Sequence, residues 1–193
     1  MAEREKPEAS RSKEKPLYGI LLFLTDESGY FLALTNLKTD RRTRKVPGQL
    51  TAPAERREPN ESFLNDMIPR TIREEVGVIK DDTSRAHFRG IIIFTTESEQ
   101  IVLVGYEKQV KRESVRFEPE DTQEVGDPQW ILLENVGNQT IQIGSYRISL
   151  FRDPIPEFVN NILKVRHGQK FPIVKKVESS IPLEIFDFIE KQI

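Results

Sequence analysis

Arg70-Thr71-Ile72-Arg73-Glu74-Glu75-Val76-Gly77-Val78 is the stretch on which the reading of this chain turns. At helical pitch Arg70 and Glu74 stand one turn apart, as do Thr71 and Glu75, so two carboxylates and an arginine share neighbouring stripes of one surface. Gly77 suits the left-handed position that ends a helix. Upstream, Pro47-Gly48 and Pro59-Asn60-Glu61-Ser62 supply turn chemistry. Pro69 lacks a backbone donor and is tolerated only in a first turn, so the helix is expected to start near Met67 with Asp66 as its N-cap. A loop, an acidic helix and a closing glycine in this order suit a hard cation beside a phosphate.

Outward from this segment the chain reads as alternating strands and helices. Tyr18 to Leu24 and Tyr30 to Thr35 are apolar runs joined by Asp26-Glu27-Ser28-Gly29, which predicts a hairpin. Phe88 to Thr95 and Ile101 to Tyr106 flank a second polar turn, Gln129 to Leu133 is a further strand, and Thr140 to Ile143 faces Tyr146 to Leu150 across Gly144-Ser145. Phe158, Val159, Ile162 and Leu163 recur at helical spacing, and Leu183, Ile185, Phe186, Phe188 and Ile189 give an apolar helix near the C-terminus. Residues 1–16 are charged, carry two prolines and have almost nothing apolar to bury, so they read as a disordered tail. Residues 17–193 then form one domain, with its C-terminal helices starting at about residue 154, in which helices cover a sheet core.

The order of motifs resembles the signature of the Nudix hydrolases: Gly, five residues, Glu, seven residues, Arg-Glu-apolar-x-Glu-Glu-x-Gly-apolar. Arg70, Ile72, Glu74, Glu75, Gly77 and Val78 match its second half. In the first half Gly48 matches the glycine after the proline and Gln49 stands where the signature opens. Residues 50–57 then read as an insertion, eight residues instead of seven separate Glu61 from Arg70, and Thr71 replaces a glutamate. Trp130, behind the acidic residues Glu118, Glu120, Asp121 and Glu124, sits where the family commonly begins a strand.

The resemblance implies an α/β/α sandwich with a mixed central sheet. It also implies a metal-dependent hydrolase that cleaves the pyrophosphate of a nucleoside diphosphate linked to another moiety. The expected cofactor is magnesium or manganese, held by Glu74 and Glu75 with Gln49 at the opening of the signature. Arg70 would hold Glu74 or another site carboxylate in place, and Glu61 or a loop acid, Glu120 or Glu124, would compensate for the neutral Thr71. For the loop acids, an ordinary exposed acidic loop remains the competing account. The second functional reading is a Nudix-like module that binds a nucleotide or a protein and has lost turnover, because Thr71, Gln49 and residues 50–57 all touch the expected site.

Lys38, Arg41, Arg42, Arg44, Lys45, Arg56 and Arg57 make a basic cluster in a chain whose net charge is only -2. Beside a diphosphate site that charge would attract a polyphosphate or a nucleic-acid end, with Arg44, Lys45, Gly48 and Arg57 as substrate contacts; a solvated hairpin explains it equally well. No aromatic residues interleave with these cations, which argues against stacking on single strands. The chain has no cysteine and only His87 and His167, so thiolate nucleophiles and thiolate zinc sites are excluded. Its longest early apolar run, Leu17 to Leu24, is too short to span a bilayer, and a soluble protein of the cytoplasm is expected. The C-terminal apolar helix would serve either the core or a homodimer.

Overall fold

The computed structural model describes residues 16–191 except 81, 98 and 138. In chain order its strands are β1 (Leu17–Thr25), β2 (Tyr30–Asn36), β3 (Leu50–Thr51), β4 (Ala54–Arg56), β5 (Gly77–Ile79), β6 (Ala86–Thr95), β7 (Gln100–Gln109), β8 (Val115–Phe117), β9 (Val125–Leu132), β10 (Thr140–Ile143), β11 (Tyr146–Ser149) and β12 (Val174–Glu178). Its α-helices are α1 (Ile68–Thr71), α2 (Ile155–Arg166) and α3 (Glu184–Glu190).

Strand β1 is apolar at nearly every position because both of its faces are covered. Ile20, Leu22 and Leu24 point to one side and pack with Met67, Ile68 and Val76 from the acidic helical segment. Leu21 and Phe23 point to the other and pack with Phe158, Val159 and Ile162 of α2. Two helical layers thus enclose a mixed sheet, which is the α/β/α sandwich expected from the sequence. The sheet runs β12-β6-β7-β1-β2-β3, with β4 added on β1 and β9 on β2. Strand β1 lies parallel to β7 along its whole length and shares its other edge between β4, at Gly19 to Leu21, and β2, at Thr25. This shared edge matters for function, since β4 is what carries the chain to the acidic helix.

Several expectations change in detail. The first hairpin forms, but β2 is in register with β1 only at Thr25 opposite Phe31, then turns to pair with β9. Strand β9 starts at Val125 rather than Gln129. Strand β12 lies parallel to β6; its Val-Lys-Lys-Val-Glu sequence is mostly exposed at the sheet edge and carries no apolar alternation to announce it. The apolar face of α3 is used within the chain: Ile185 and Phe186 are buried with Val46, Ile148 and Ile181. Apart from Pro16, the tail expected over residues 1–16 lies outside the described residues. Among the described residues no helix is long and apolar enough to cross a membrane.

Gly105 on β7 faces the Phe158 ring so closely that any Cβ there would overlap it. Phe158 is fully buried, and Phe23 lies 5.9 Å from it, centroid to centroid. Gly105→Ala is therefore expected to lower stability by about 1–3 kcal/mol in urea unfolding, with partial recovery in the double variant Gly105→Ala, Phe158→Leu.

Candidate active site

The acidic helix begins a turn earlier than its sequence suggests. Ser62, not Asp66, is the N-cap: its Oγ accepts from the Asn65 amide at 3.2 Å, while Asp66 accepts from the Ser62 amide at 2.7 Å and its hydroxyl at 2.8 Å. This reciprocal pairing is a capping box stretched by one residue. The stretch has a cause in the backbone, since α1 is bracketed by wide π-type turns at Phe63–Met67 and Ile72–Val76. The Met67 amide reaches back five residues to the Ser62 carbonyl at 3.1 Å. Such a turn absorbs one extra residue without breaking the helix, and Glu61 and Arg70 are separated by one residue more than in the signature.

Arg70 gathers the site. Its Nε donates to Glu61 Oε1 at 2.9 Å and its Nη2 to Glu61 Oε2 at 2.9 Å, a bidentate pair. Its Nη1 donates to Glu55 at 2.9 Å and to Glu74 at 3.2 Å, and Nη2 also reaches the Arg56 carbonyl at 2.7 Å. One guanidinium therefore joins the helix, strand β4 and the turn between them. Glu61 is the chief cause of the upward shift of the Arg70 pKa. Burial pushes the Glu55 carboxyl up, and Glu74 and Glu124 push it further against the downward pull of Arg70.

Residues 50–57 are not an excursion from the fold. Their Ala54–Arg56 portion pairs with β1 as β4, and the Ala54 amide donates to Glu75 Oε2 at 2.6 Å. With the signature's five intervening residues, 56–60, placed before Glu61, its opening position falls on Glu55, at the site, rather than on Gln49. Gln49 is buried, donates from Nε2 to the Ser149 carbonyl at 3.0 Å and does not line the cleft beside Glu74. Gly48 forms a turn at φ 84°, its amide bonded to the Asn36 carbonyl.

That cleft has a volume of about 440 Å³. Glu55, Glu74, Asp121 and Glu124 give it an acidic side, and Arg42, Lys45, Arg56 and Arg152 line it as well. Glu124 is paired with Lys45 at 3.1 Å and Lys38 at 3.5 Å. Glu75 lies just behind the cleft, 3 % exposed. Thr71 is fully buried and its hydroxyl donates to the Met67 carbonyl at 2.8 Å, so the residue that replaces a glutamate faces the interior. Glu120 pairs with Arg73 at 3.2 Å instead of entering the cleft. A second cleft, of about 500 Å³, runs elsewhere along the same helix past Leu64, Ile68 and Ile72, and holds none of the site carboxylates.

The basic cluster is dispersed. Arg44 is 2 % exposed, pairs with Glu97 and lies 5.6 Å from the Phe186 ring centre, so it is a core residue and not a substrate contact. Arg57 donates to the Glu61 carbonyl at 2.8 Å and covers the Phe63 ring. Arg41 pairs with Asp187 at 2.7 Å and Arg42 with Glu99. Lys45 is the one cation among the expected substrate contacts that reaches the cleft.

Gly77 ends the helix at φ 114° and ψ −110°, a conformation outside the left-handed helical region, and its amide bonds to the Ile72 carbonyl. A Cβ there would lie 2.6 Å from the Glu118 amide nitrogen. The helix thus stops where β5 pairs with β8 and brings the acidic loop to the cleft. Within that loop the Asp121 amide bonds to the Glu74 carbonyl at 2.9 Å.

Glu75 should make stability depend on pH. Burial, reinforced by Glu55 and Glu124, raises its carboxyl from 4.5 to about 8, against the opposing Ala54 hydrogen bond and Lys45. Between those two values the folded protein holds a proton that the unfolded chain releases. The stabilisation is therefore complete below the unfolded pKa and is lost as pH rises through the folded one. Urea unfolding of the metal-free protein should show stability falling with pH across this window, by at most about 1.4 kcal/mol per pH unit from this group. Glu75→Gln should flatten that fall.

No family model matches the chain, and no curated protein matches it. Solved structures do. A MutT protein from Methanosarcina mazei superposes with a TM-score of 0.57 at 20% identity, over 82% of this chain and 100% of its own. An Ap4A hydrolase from C. elegans gives 0.51 at 15% identity, over 79% and 98%. A UDP-X diphosphatase gives 0.54 at 16% identity, over 88% and 71%. With the mixed sheet, the two helical layers and the acidic helix in place, the chain has the fold of the Nudix hydrolases.

Proposed function

We propose that the chain is a Nudix-type hydrolase that cleaves the pyrophosphate of a nucleoside diphosphate joined to another group, with magnesium or manganese as cofactor. The observation that carries this reading is the convergence of Glu55, Glu74 and Glu124 with Lys45 on one cleft of about 440 Å³. Among the described residues no three acidic or histidine side chains are gathered into a ready ion cage. Magnesium beside a diphosphate does not require one, because it keeps several waters and takes one or two carboxylates together with phosphate oxygens. The hard oxygen donors of this cleft suit that mode. Glu74 and Glu55 would hold the ion, with Glu75 close behind them.

When bound, the ion supplies charge neutralisation at the phosphates. The protein's own part is positional. Arg70 fixes Glu55 and Glu74 on adjoining elements, and Lys45 adds positive charge at the same cleft. Glu55 restores to the cleft a carboxylate that Thr71 does not provide. The ligand chemistry is supported by two proteins of similar structure, an Ap4A hydrolase and a UDP-X diphosphatase.

A specific observation favours the binding-module reading as an alternative. Glu75 is sealed beneath the Ala54 amide with its carboxyl raised to about 8, which favours its neutral form at neutral pH in the metal-free protein. The two readings separate in a phosphate-release assay over a panel of nucleoside diphosphate derivatives. Hydrolysis predicts turnover that needs magnesium and falls by about 100-fold or more in Glu74→Gln and Glu55→Gln. Nucleotide binding with no turnover at any metal concentration would establish the module instead. Thr71→Glu should lower stability without raising turnover, because it places a carboxylate in the apolar interior.

A further inference from the structure

Arg152 entered none of the sequence-based assignments, yet it lines the same cleft as Glu55 and Glu74. Its backbone is fixed there, since the Arg152 amide donates to the Leu50 carbonyl at 2.9 Å beside the bridge between Leu50 and Phe151. Its guanidinium is poorly matched. Nη2 donates to the neutral Thr43 carbonyl at 3.2 Å, and the buried Nε has no hydrogen-bond partner among the described residues. Asp40, Glu75, Asp153 and Glu124 act on it only through longer-range attraction, and burial outweighs them, lowering its pKa below the usual arginine value.

The other cations at this cleft differ. Lys45 is paired with Glu124 and Arg42 with Glu99, while the Arg56 side chain is exposed to solvent. Arg152 alone among these four combines a buried guanidinium nitrogen that has no partner among the described residues with a hydrogen bond to a group that carries no charge. Withdrawing a guanidinium from water without a paired anion is costly, and such an arrangement persists where an anion completes it. The planar fork of arginine matches the nonbridging oxygens of a phosphate.

We propose that Arg152 is the phosphate anchor of the cleft, pairing with the nonbridging oxygens of a diphosphate held beside Glu55 and Glu74. The assignment rests on the reading of this cleft as a diphosphate site, but it does not require turnover. It also gives the cleft a division of labour: carboxylates hold the cation at one part of the ligand, and Arg152 takes charge that the cation leaves uncompensated.

The test is calorimetric titration of the full chain with inorganic pyrophosphate in the presence of magnesium, alongside phosphate release from the nucleotide panel. Arg152→Gln is expected to weaken pyrophosphate binding by about 10- to 100-fold. Arg152→Lys should recover part of the loss, keeping the charge but not the fork, and also serves as the deciding variant if Arg152→Gln fails to fold. Arg41→Gln, at an exposed pair outside the cleft, should bind as the unaltered protein does. In the turnover assay the Arg152 variants should raise KM more than they lower kcat. Wild-type affinity in Arg152→Gln, or no pyrophosphate binding by the unaltered chain, would overturn the proposal. Turnover with an unchanged KM in Arg152→Gln would remove the anchor and leave the hydrolase reading intact. Arg152-dependent binding without turnover of any nucleotide would do the reverse.

Discussion

Arg70 is the constraint on which the candidate site depends. A strand of the sheet, the turn that follows it and a helix packed across the sheet have no intrinsic reason to present their acids to a common space. Here a single guanidinium bonds Glu61 before the helix, Glu74 within it and Glu55 on β4, and also holds the Arg56 carbonyl. Its side chain is 15% exposed, so these charge-assisted bonds are partly screened from water and stronger than surface pairs. The contacts are mutually dependent: Glu61 orients the fork, and the orientation places Nη1 between the other two carboxylates.

The helix backbone is adapted to that contact. An extra residue in an α-helix rotates everything beyond it by about 100°, which would turn Arg70 away from Glu61. The first wide turn, Phe63–Met67, absorbs the residue, and the stretched capping box at Ser62 and Asp66 satisfies the amides that such a start exposes. Pro69 falls in α1, directly after the first wide turn, where the loosened backbone accommodates its missing donor. The departures from the signature between Glu61 and Arg70 and the irregular helix are thus one adjustment.

The sandwich was legible because it is written in long periodic segments: β1, β6, β7 and α2 all bury continuous or alternating apolar faces. The second half of the signature was legible for the same reason, since Arg70, Glu74 and Gly77 act within a few residues of one another. What escaped was non-local. Strands β3 and β4 are two and three residues long and exist only because β1 and β2 are there to pair with them. Without that pairing Pro47-Gly48 competes with Pro53-Ala54 for the start of the site, and local turn chemistry favours the glycine. Arg44 looked like a surface cation because nothing near it in sequence shows that α3 will cover it. Arg152 lies on a segment with no motif, and its place at the cleft follows from the bridge between Leu50 and Phe151. Thr71 read as a lost ligand, whereas its hydroxyl is satisfied by the Met67 carbonyl inside the core.

The cleft is a balanced site rather than a purely acidic one: Arg70 neutralises part of the charge of Glu55 and Glu74, Lys45 meets Glu124, and Glu75 is held back by burial. Such a balance suits a ligand that brings both a cation and phosphates, because either alone would leave charge unmatched. Arg70 ties Glu61 to the helix and to β4, and a double-mutant cycle on Arg70→Gln and Glu61→Gln tests the Arg70–Glu61 link of that tie most directly by urea unfolding. The structure predicts a coupling of about 1–3 kcal/mol between the two positions, whereas losses that add to within about 0.5 kcal/mol would contradict it.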